Sequence, residues 1–161
     1  MGRCIGQPEI SLLSVRYTTE NQKDASIPVG CAVCYESVYG EYYTDYVRKG
    51  AKAMTIITND AWWGDTPGYR QHLSYARLRA IETRRAIARC ANTGISAIIS
   101  PSGKILQPTP WWEQAVIEGS LPLRNDITFF VSHGDIAGRV CTFMFILLLL
   151  SLCVRFIREG K

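Results

Sequence analysis

The sequence predicts an α/β fold, with parallel pairing inside a mixed sheet and one C-terminal transmembrane helix. Three observations carry the prediction. A strand-like run at 29–33 passes through Cys34 into a helical stretch at 38–49, then into a second apolar run at 53–58, the spacing of a βαβ unit. A longer helical pattern occupies 69–89, and a hairpin-like pair of short runs follows it. From 140 to 154 the chain reads VCTFMFILLLLSLCV, uncharged and mostly apolar on every helical face.

Composition sets the class. The 161 residues have room for one domain with a real core, and 47% hydrophobic against 20% charged residues excludes global disorder. A net charge of +4 is too modest to imply nucleic acid as a partner. The six cysteines are scattered in a chain too large and apolar to need a disulfide framework. No apolar stretch follows Met1-Gly2-Arg3, so no secretory signal is expected there. The expected organisation is a domain at 1–135, a membrane helix at 136–157 and a short basic tail at 158–161.

Taken in order, 10–17 reads as a strand and 18–26 as a polar turn, with Pro28 as the first residue of the next strand. The helix at 38–49 puts Tyr39, Tyr42 or Tyr43, and Tyr46 on one face, a surface suited to packing on a sheet. Gly50 is its stop. The loop at 59–68, NDAWWGDTPG, follows the carboxyl end of a strand, where α/β folds build their sites. Its Trp62 and Trp63 either receive an apolar substrate or bilayer, or fold back on the core.

The 69–89 helix has a small-residue face at Leu73, Ala76, Ala80, Thr83 and Ile87 that allows close packing. Its six arginines read as a solvated face, with contact to anionic head groups as the functional alternative. His72 falls in its first turn. A strand at 94–100, a turn at Pro101-Ser102-Gly103 and a strand at 104–107 form the hairpin, and 115–121 and 127–131 read as strands or extended segments. The 15 residues of 140–154 would span only about 22 Å as a helix. Ile136, Ala137 and Gly138 extend the run towards the roughly 30 Å of a bilayer core, with Arg139 and Arg155 at the interfaces. A buried core helix is the alternative reading. As a span, its trailing Arg155, Arg158 and Lys161 favour a cytoplasmic C-terminus.

Chemistry centres on Cys34, where a strand turns into a helix. Such a junction holds a side chain exposed on rigid backbone, and a helix N-terminus favours a thiolate. Cys34 is therefore the candidate nucleophile, against the plainer reading of a packed cysteine. Cys31 and Cys34 form a C-x-x-C, but residues three apart on a strand diverge, no second cysteine pair exists, and His72 and His133 are isolated. A metal site is not supported, and no cofactor is expected.

The order of these features resembles a known family. Val33-Cys34-Tyr35-Glu36-Ser37, Asn59-Asp60-Ala61-Trp62-Trp63-Gly64-Asp65, Gln71-His72, Arg77-x-Arg79-Ala80-x-Glu82 and Asn92-Thr93-Gly94-Ile95-Ser96 look like the C-terminal part of the bacterial apolipoprotein N-acyltransferases. These are membrane-bound members of the nitrilase, or carbon–nitrogen hydrolase, superfamily. The resemblance covers roughly residues 28–155. It implies part of a nitrilase-like α/β/β/α sandwich and a Cys-Glu-Lys catalytic set. Cys34 would take an acyl chain from a phospholipid as a thioester and pass it to the amine of a diacylglyceryl-cysteine lipoprotein. Glu36 would help hold the catalytic arrangement, and the backbone N–H of Tyr35 would contribute to an oxyanion site. Trp62 and Trp63 would line the lipid entrance, with Asn59 and His72 as further substrate-binding candidates. The implied location is the bacterial inner membrane, with the domain on the periplasmic side in the full-length family.

The departure lies upstream. The family's general-base Glu and its Lys precede the nucleophile, and Glu9, Glu20 and Lys23 match neither motif. The chain alone is therefore expected to have little or no activity, as a fragment, a split gene product or a degenerate copy whose missing groups would lie in an upstream segment or partner chain. Two other readings stand beside the acyltransferase: a nitrilase-like amidase acting on a soluble amide, and a membrane-anchored, non-catalytic lipid-binding module.

Overall fold

The computed structural model describes residues 9–18 and 24–159. Six strands form one mixed sheet in sequence order: β1 (Leu13–Thr18), β2 (Asp24–Val33), β3 (Ala53–Thr58), β4 (Ile87–Ala91), β5 (Ala97–Ile99) and β6 (Ile105–Leu106). β2, β3 and β4 run parallel, and the outer pairings are antiparallel. Parallel neighbours need crossover helices. α1 (Gly40–Arg48) makes the first crossover and α2 (Gly68–Thr83) the second.

Strand alternation gives the sheet two unlike faces. Ala32, Met54, Ile56, Ile87 and Ile99 are buried under the helices, where Tyr43, Tyr46, Leu73, Ala76 and Ala80 meet them. The alanines let α2 lie close to the strands. On the opposite face, Val15, Val33 and Ile57 remain 50%, 45% and 54% exposed. The described residues thus form one helix-covered sheet, half of the expected sandwich.

After β6 the chain runs without regular structure to α3 (Phe129–His133), which packs on α1 and α2. Thr128 caps α3 by accepting from the Val131 N–H, and Arg48 Nε donates to the Val131 carbonyl at 2.7 Å. α4 (Ile136–Glu159) then leaves the domain with none of its residues buried. Its start is tied to α1: Glu41 Oε1 accepts from the Asp135 N–H at 3.0 Å and from Arg139 at 2.6 Å. By length and composition α4 can cross a membrane, with a mean hydropathy of 2.5 over its most apolar window. A buried core helix is not what is observed.

Several sequence expectations need correction. The 69–89 helix ends at Thr83, because Arg84 turns left-handed at φ 52° and residues from Ile87 form β4. Its arginines therefore share no solvated face: Arg79, Arg85 and Arg89 are buried, and Arg89 belongs to a strand. The 38–49 helix is preceded by a 3-10 turn at Cys34–Val38 and starts at Gly40, though Gly50, at φ 103°, stops it as expected. β2 starts at Asp24, inside the expected turn, and residues 19–23 lie outside the described residues. Pro28 is consequently mid-strand, where pairing with β3 begins one residue later at Val29. The expected strand at 94–100 shortens to Ala97–Ile99. Residues 115–121 have no regular structure, and the expected extended segment at 127–131 gives way to the helix α3.

Candidate active site

Cys34 follows directly on β2 and opens the 3-10 turn, partly exposed, with a left-handed φ of 52°. That conformation costs a non-glycine residue about 1–2 kcal/mol, so surrounding contacts must hold it. Two sets do. Upstream, the Val33 N–H donates to Glu36 Oε2 at 2.7 Å, closing the turn from the side-chain end. Downstream, Ser37 Oγ donates to the Cys34 carbonyl at 2.8 Å.

Glu36 is itself held. Tyr42 donates to its Oε1 at 3.2 Å and Tyr46 to its Oε2 at 3.4 Å. Burial pushes the Tyr46 hydroxyl pKa far up, and contact with Tyr42 and Glu36 adds to the rise, so it remains a neutral donor. A carboxylate receiving three donors is positioned rather than poised to take a proton.

His72 does not line the surface. Its side chain is 2% exposed. Its Nε2 lies 3.2 Å from Ser37 Oγ and 3.3 Å from the Cys34 carbonyl oxygen, and its Nδ1 lies 2.9 Å from Asp60 Oδ1. Asp60 Oδ2 accepts from Arg89 at 2.7 Å, and Thr58 donates to its Oδ1 at 3.1 Å. Burial works to raise the Asp60 carboxyl pKa, but hydrogen bonds from His72 and Arg89 outweigh it and hold the group below its ordinary range. An ionised carboxylate only accepts, so His72 Nδ1 carries a proton facing it. A buried chain thus runs Arg89, Asp60, His72, Ser37 and the backbone of Cys34.

The aromatic loop splits by residue. Trp63 is half-buried, packing beside Gly68, with its ring centroid 6.2 Å from that of Tyr35. Tyr35 also lies over His72 at 5.6 Å, closing the chain from solvent. Trp62 stands 68% exposed. Asn59 accepts from the Ala61 N–H at 3.2 Å and from Asn92 at 3.3 Å, bracing the loop against the turn after β4. The structure therefore brings Cys34, Tyr35, Glu36, Trp63 and His72 together, with Trp62 and Asn59 on the loop beside them. Ser37, Asp60 and Arg89 were not singled out from sequence as site residues. Ser37 and Asp60 lie inside the quoted motifs, but Arg89 had no local signal. Among the described residues no group of three or more His, Cys, Asp or Glu side chains is arranged to hold a metal ion.

Residues 6–125 match the family model described as carbon-nitrogen hydrolase. The apolipoprotein N-acyltransferase of Chlorobaculum tepidum is 44% identical over 109 residues, covering 68% of this chain and 20% of that protein. That of Shewanella oneidensis is 33% identical over 145 residues, covering 90% of this chain and 27% of that protein. The chain thus spans about a fifth to a quarter of the length of these relatives. Among solved structures, an amidase from Nesterenkonia sp. AN1, with acrylamide added at its active-site cysteine, matches with a TM-score of 0.54 at 16% identity. That match covers 86% of this chain and 50% of the amidase, a likeness of fold.

Proposed function

The chain belongs to the carbon–nitrogen hydrolase family, and from that premise we propose that it is the nucleophile-bearing part of a phospholipid-to-lipoprotein N-acyltransferase. The observation that carries this reading is Cys34, partly exposed on a left-handed elbow beside the Trp62–Trp63 loop, in a chain whose relatives are acyltransferases of that name. In the first step the Cys34 thiolate attacks the ester carbonyl of a phospholipid. The C–O bond breaks, the lysophospholipid leaves with a proton, and a thioester remains. In the second, the free amine of a diacylglyceryl-cysteine lipoprotein attacks the thioester. An amide forms, the C–S bond breaks, and the proton lost by the amine passes to the sulfur, restoring the Cys34 thiol.

Each neighbour has a role in this reading. Glu36 and Ser37 fix the elbow, the Tyr35 N–H assists the oxyanion, and Trp62 guides an acyl chain. α4 spans the inner membrane, with the domain on the periplasmic side. Its exposure along its whole length favours a lipid setting over the soluble amidase alternative. Glu36 is occupied by three donors, and Asp60 by His72, Arg89 and Thr58, so neither is a free general base for Cys34. The 161-residue chain alone is accordingly proposed to turn over poorly, with base and lysine supplied by further chain.

The test is incubation of the detergent-solubilised chain with phosphatidylethanolamine, followed by mass spectrometry. An acyl adduct on Cys34, removed by hydroxylamine and absent in Cys34→Ala, is the expected result. No adduct on Cys34, even with a large excess of lipid over days, would overturn the nucleophile assignment. Rapid multiple turnover to a lipopeptide would overturn the claim of incompleteness.

A further inference from the structure

Resting on the reading of Cys34 as nucleophile, we infer that His72 is a positioning residue which, with Ser37, locks the Cys34 backbone carbonyl and so sets the aim of the thiol. The argument begins with the elbow. A left-handed cysteine relaxes unless its own peptide groups are held, and the group that must be fixed is the Cys34 carbonyl. Two side chains reach it: Ser37 Oγ at 2.8 Å and His72 Nε2 at 3.3 Å. They also meet each other at 3.2 Å, forming a closed triangle of three polar atoms.

The far side of the imidazole is fixed more firmly still. Asp60 holds Nδ1, Arg89 and Thr58 hold Asp60, and the side chains of His72, Asp60 and Arg89 are 2%, 0% and 0% exposed. Arg89 also donates to the Ile95 carbonyl, so the chain is anchored in backbone at both ends. Tyr35 lies against the ring with a centroid distance of 5.6 Å, Trp63 lies beside Tyr35, and the ring is buried. With Nδ1–H facing Asp60, Nε2 faces the Ser37–Cys34 end, and holding the Cys34 carbonyl from there requires a hydrogen on Nε2 as well, because a carbonyl only accepts. The His72 side chain is 2% exposed, and its hydrogen-bond partners are Ser37, Asp60 and the Cys34 carbonyl. It acts through the peptide group of Cys34, which places it among positioning residues. This arrangement leaves the family's base and lysine outside its scope. It concerns only where the sulfur points.

The experiment uses the full chain in detergent micelles and measures iodoacetamide alkylation at Cys34 by peptide mass spectrometry, with exposed Cys90 as internal reference. His72→Met keeps bulk without a hydrogen bond, and His72→Gln restores a donor near the Nε2 position. The expected result is a roughly tenfold loss of Cys34 alkylation rate in His72→Met, the size of one buried hydrogen bond, with His72→Gln within about threefold of the parent and Cys90 unchanged. A purely structural role predicts that Met and Gln behave alike. Should His72→Met fail to fold, Ser37→Ala decides, since it removes the shared hydroxyl at little volume cost, and the same loss at Cys34 is expected. Parent-like rates in the folded variants overturn the inference. A folded parent chain in which Cys90 is alkylated and Cys34 is not alkylated at all overturns the nucleophile reading instead, so the two failures are distinguishable.

Discussion

Arg89 Nη2 lies 2.7 Å from Asp60 Oδ2, and neither side chain is exposed to solvent at all. The pair joins the second crossover strand to the loop after the first, and His72 completes it from α2. Three segments separated in sequence are thus fastened at one point beneath Cys34.

This point sets an acid limit on stability. The Asp60 carboxyl is depressed in the folded chain, since its hydrogen bonds outweigh the effect of burial. A depressed carboxyl stabilises fully above the unfolded pKa of about 4 and loses that contribution as pH falls through the folded value. Urea titrations of the solubilised chain from neutral to acid pH should show a steep loss below about pH 4. Asp60→Asn should flatten that limb and cost about 3–5 kcal/mol at neutral pH, by leaving Arg89 buried without its counter-charge. Equal acid slopes in the two proteins would show that another carboxylate is responsible.

Gly94 guards the same carboxylate. A Cβ there would overlap Asp60 Oδ2 and lie 2.8 Å from its Cγ. Gly94→Ala should therefore lower stability by about 1–3 kcal/mol and slow alkylation of Cys34. A change confined to stability would mean that Asp60 moves without disturbing the elbow.

The two tryptophans should separate cleanly. Trp63→Ala removes packing against Tyr35 and Gly68 and should cost roughly 1–2 kcal/mol in urea unfolding. Trp62, which stands largely in solvent, should change stability by less than about 0.5 kcal/mol when replaced by alanine. Its loss should appear instead as slower acylation of Cys34 by phospholipid vesicles. If Trp62→Ala acylates at the parent rate, the exposed indole plays no part in lipid entry.

Membrane attachment rests on α4. Leu148 lies near its middle, and an arginine there should disfavour insertion by about 2.5–3.5 kcal/mol. After alkaline carbonate washing, the parent chain should stay with membranes and Leu148→Arg should be partly released. Full release of the parent chain would remove the membrane-span reading.

What could be read from sequence was local. Residues 53–58 were recognised as β3 because a short run of apolar and β-branched residues has strand length, and α4 because its apolar run is long and uninterrupted. The Cys34 elbow was legible because the strand and helix signals abut there. β4 was missed because its Arg89 looks like one more surface charge of the preceding arginine-rich helix, and only the left-handed turn at Arg84 reveals the break. α3 was missed because five residues carry too little periodicity to mark a helix.

By itself, then, the sequence determined the strand–elbow–helix that presents Cys34, the parallel crossover into β3, and the apolar closing helix. Each follows from side-chain periodicity over a few turns or one strand. Only the tertiary structure decided that His72 is an interior residue, that Glu36 is a clamp held by two tyrosines, and that Arg89 is the counter-charge of Asp60. Those assignments depend on groups 10 to 38 residues apart meeting away from water. A charge or imidazole is costly to bury alone and stable when paired, and no local pattern records which partner the fold will bring.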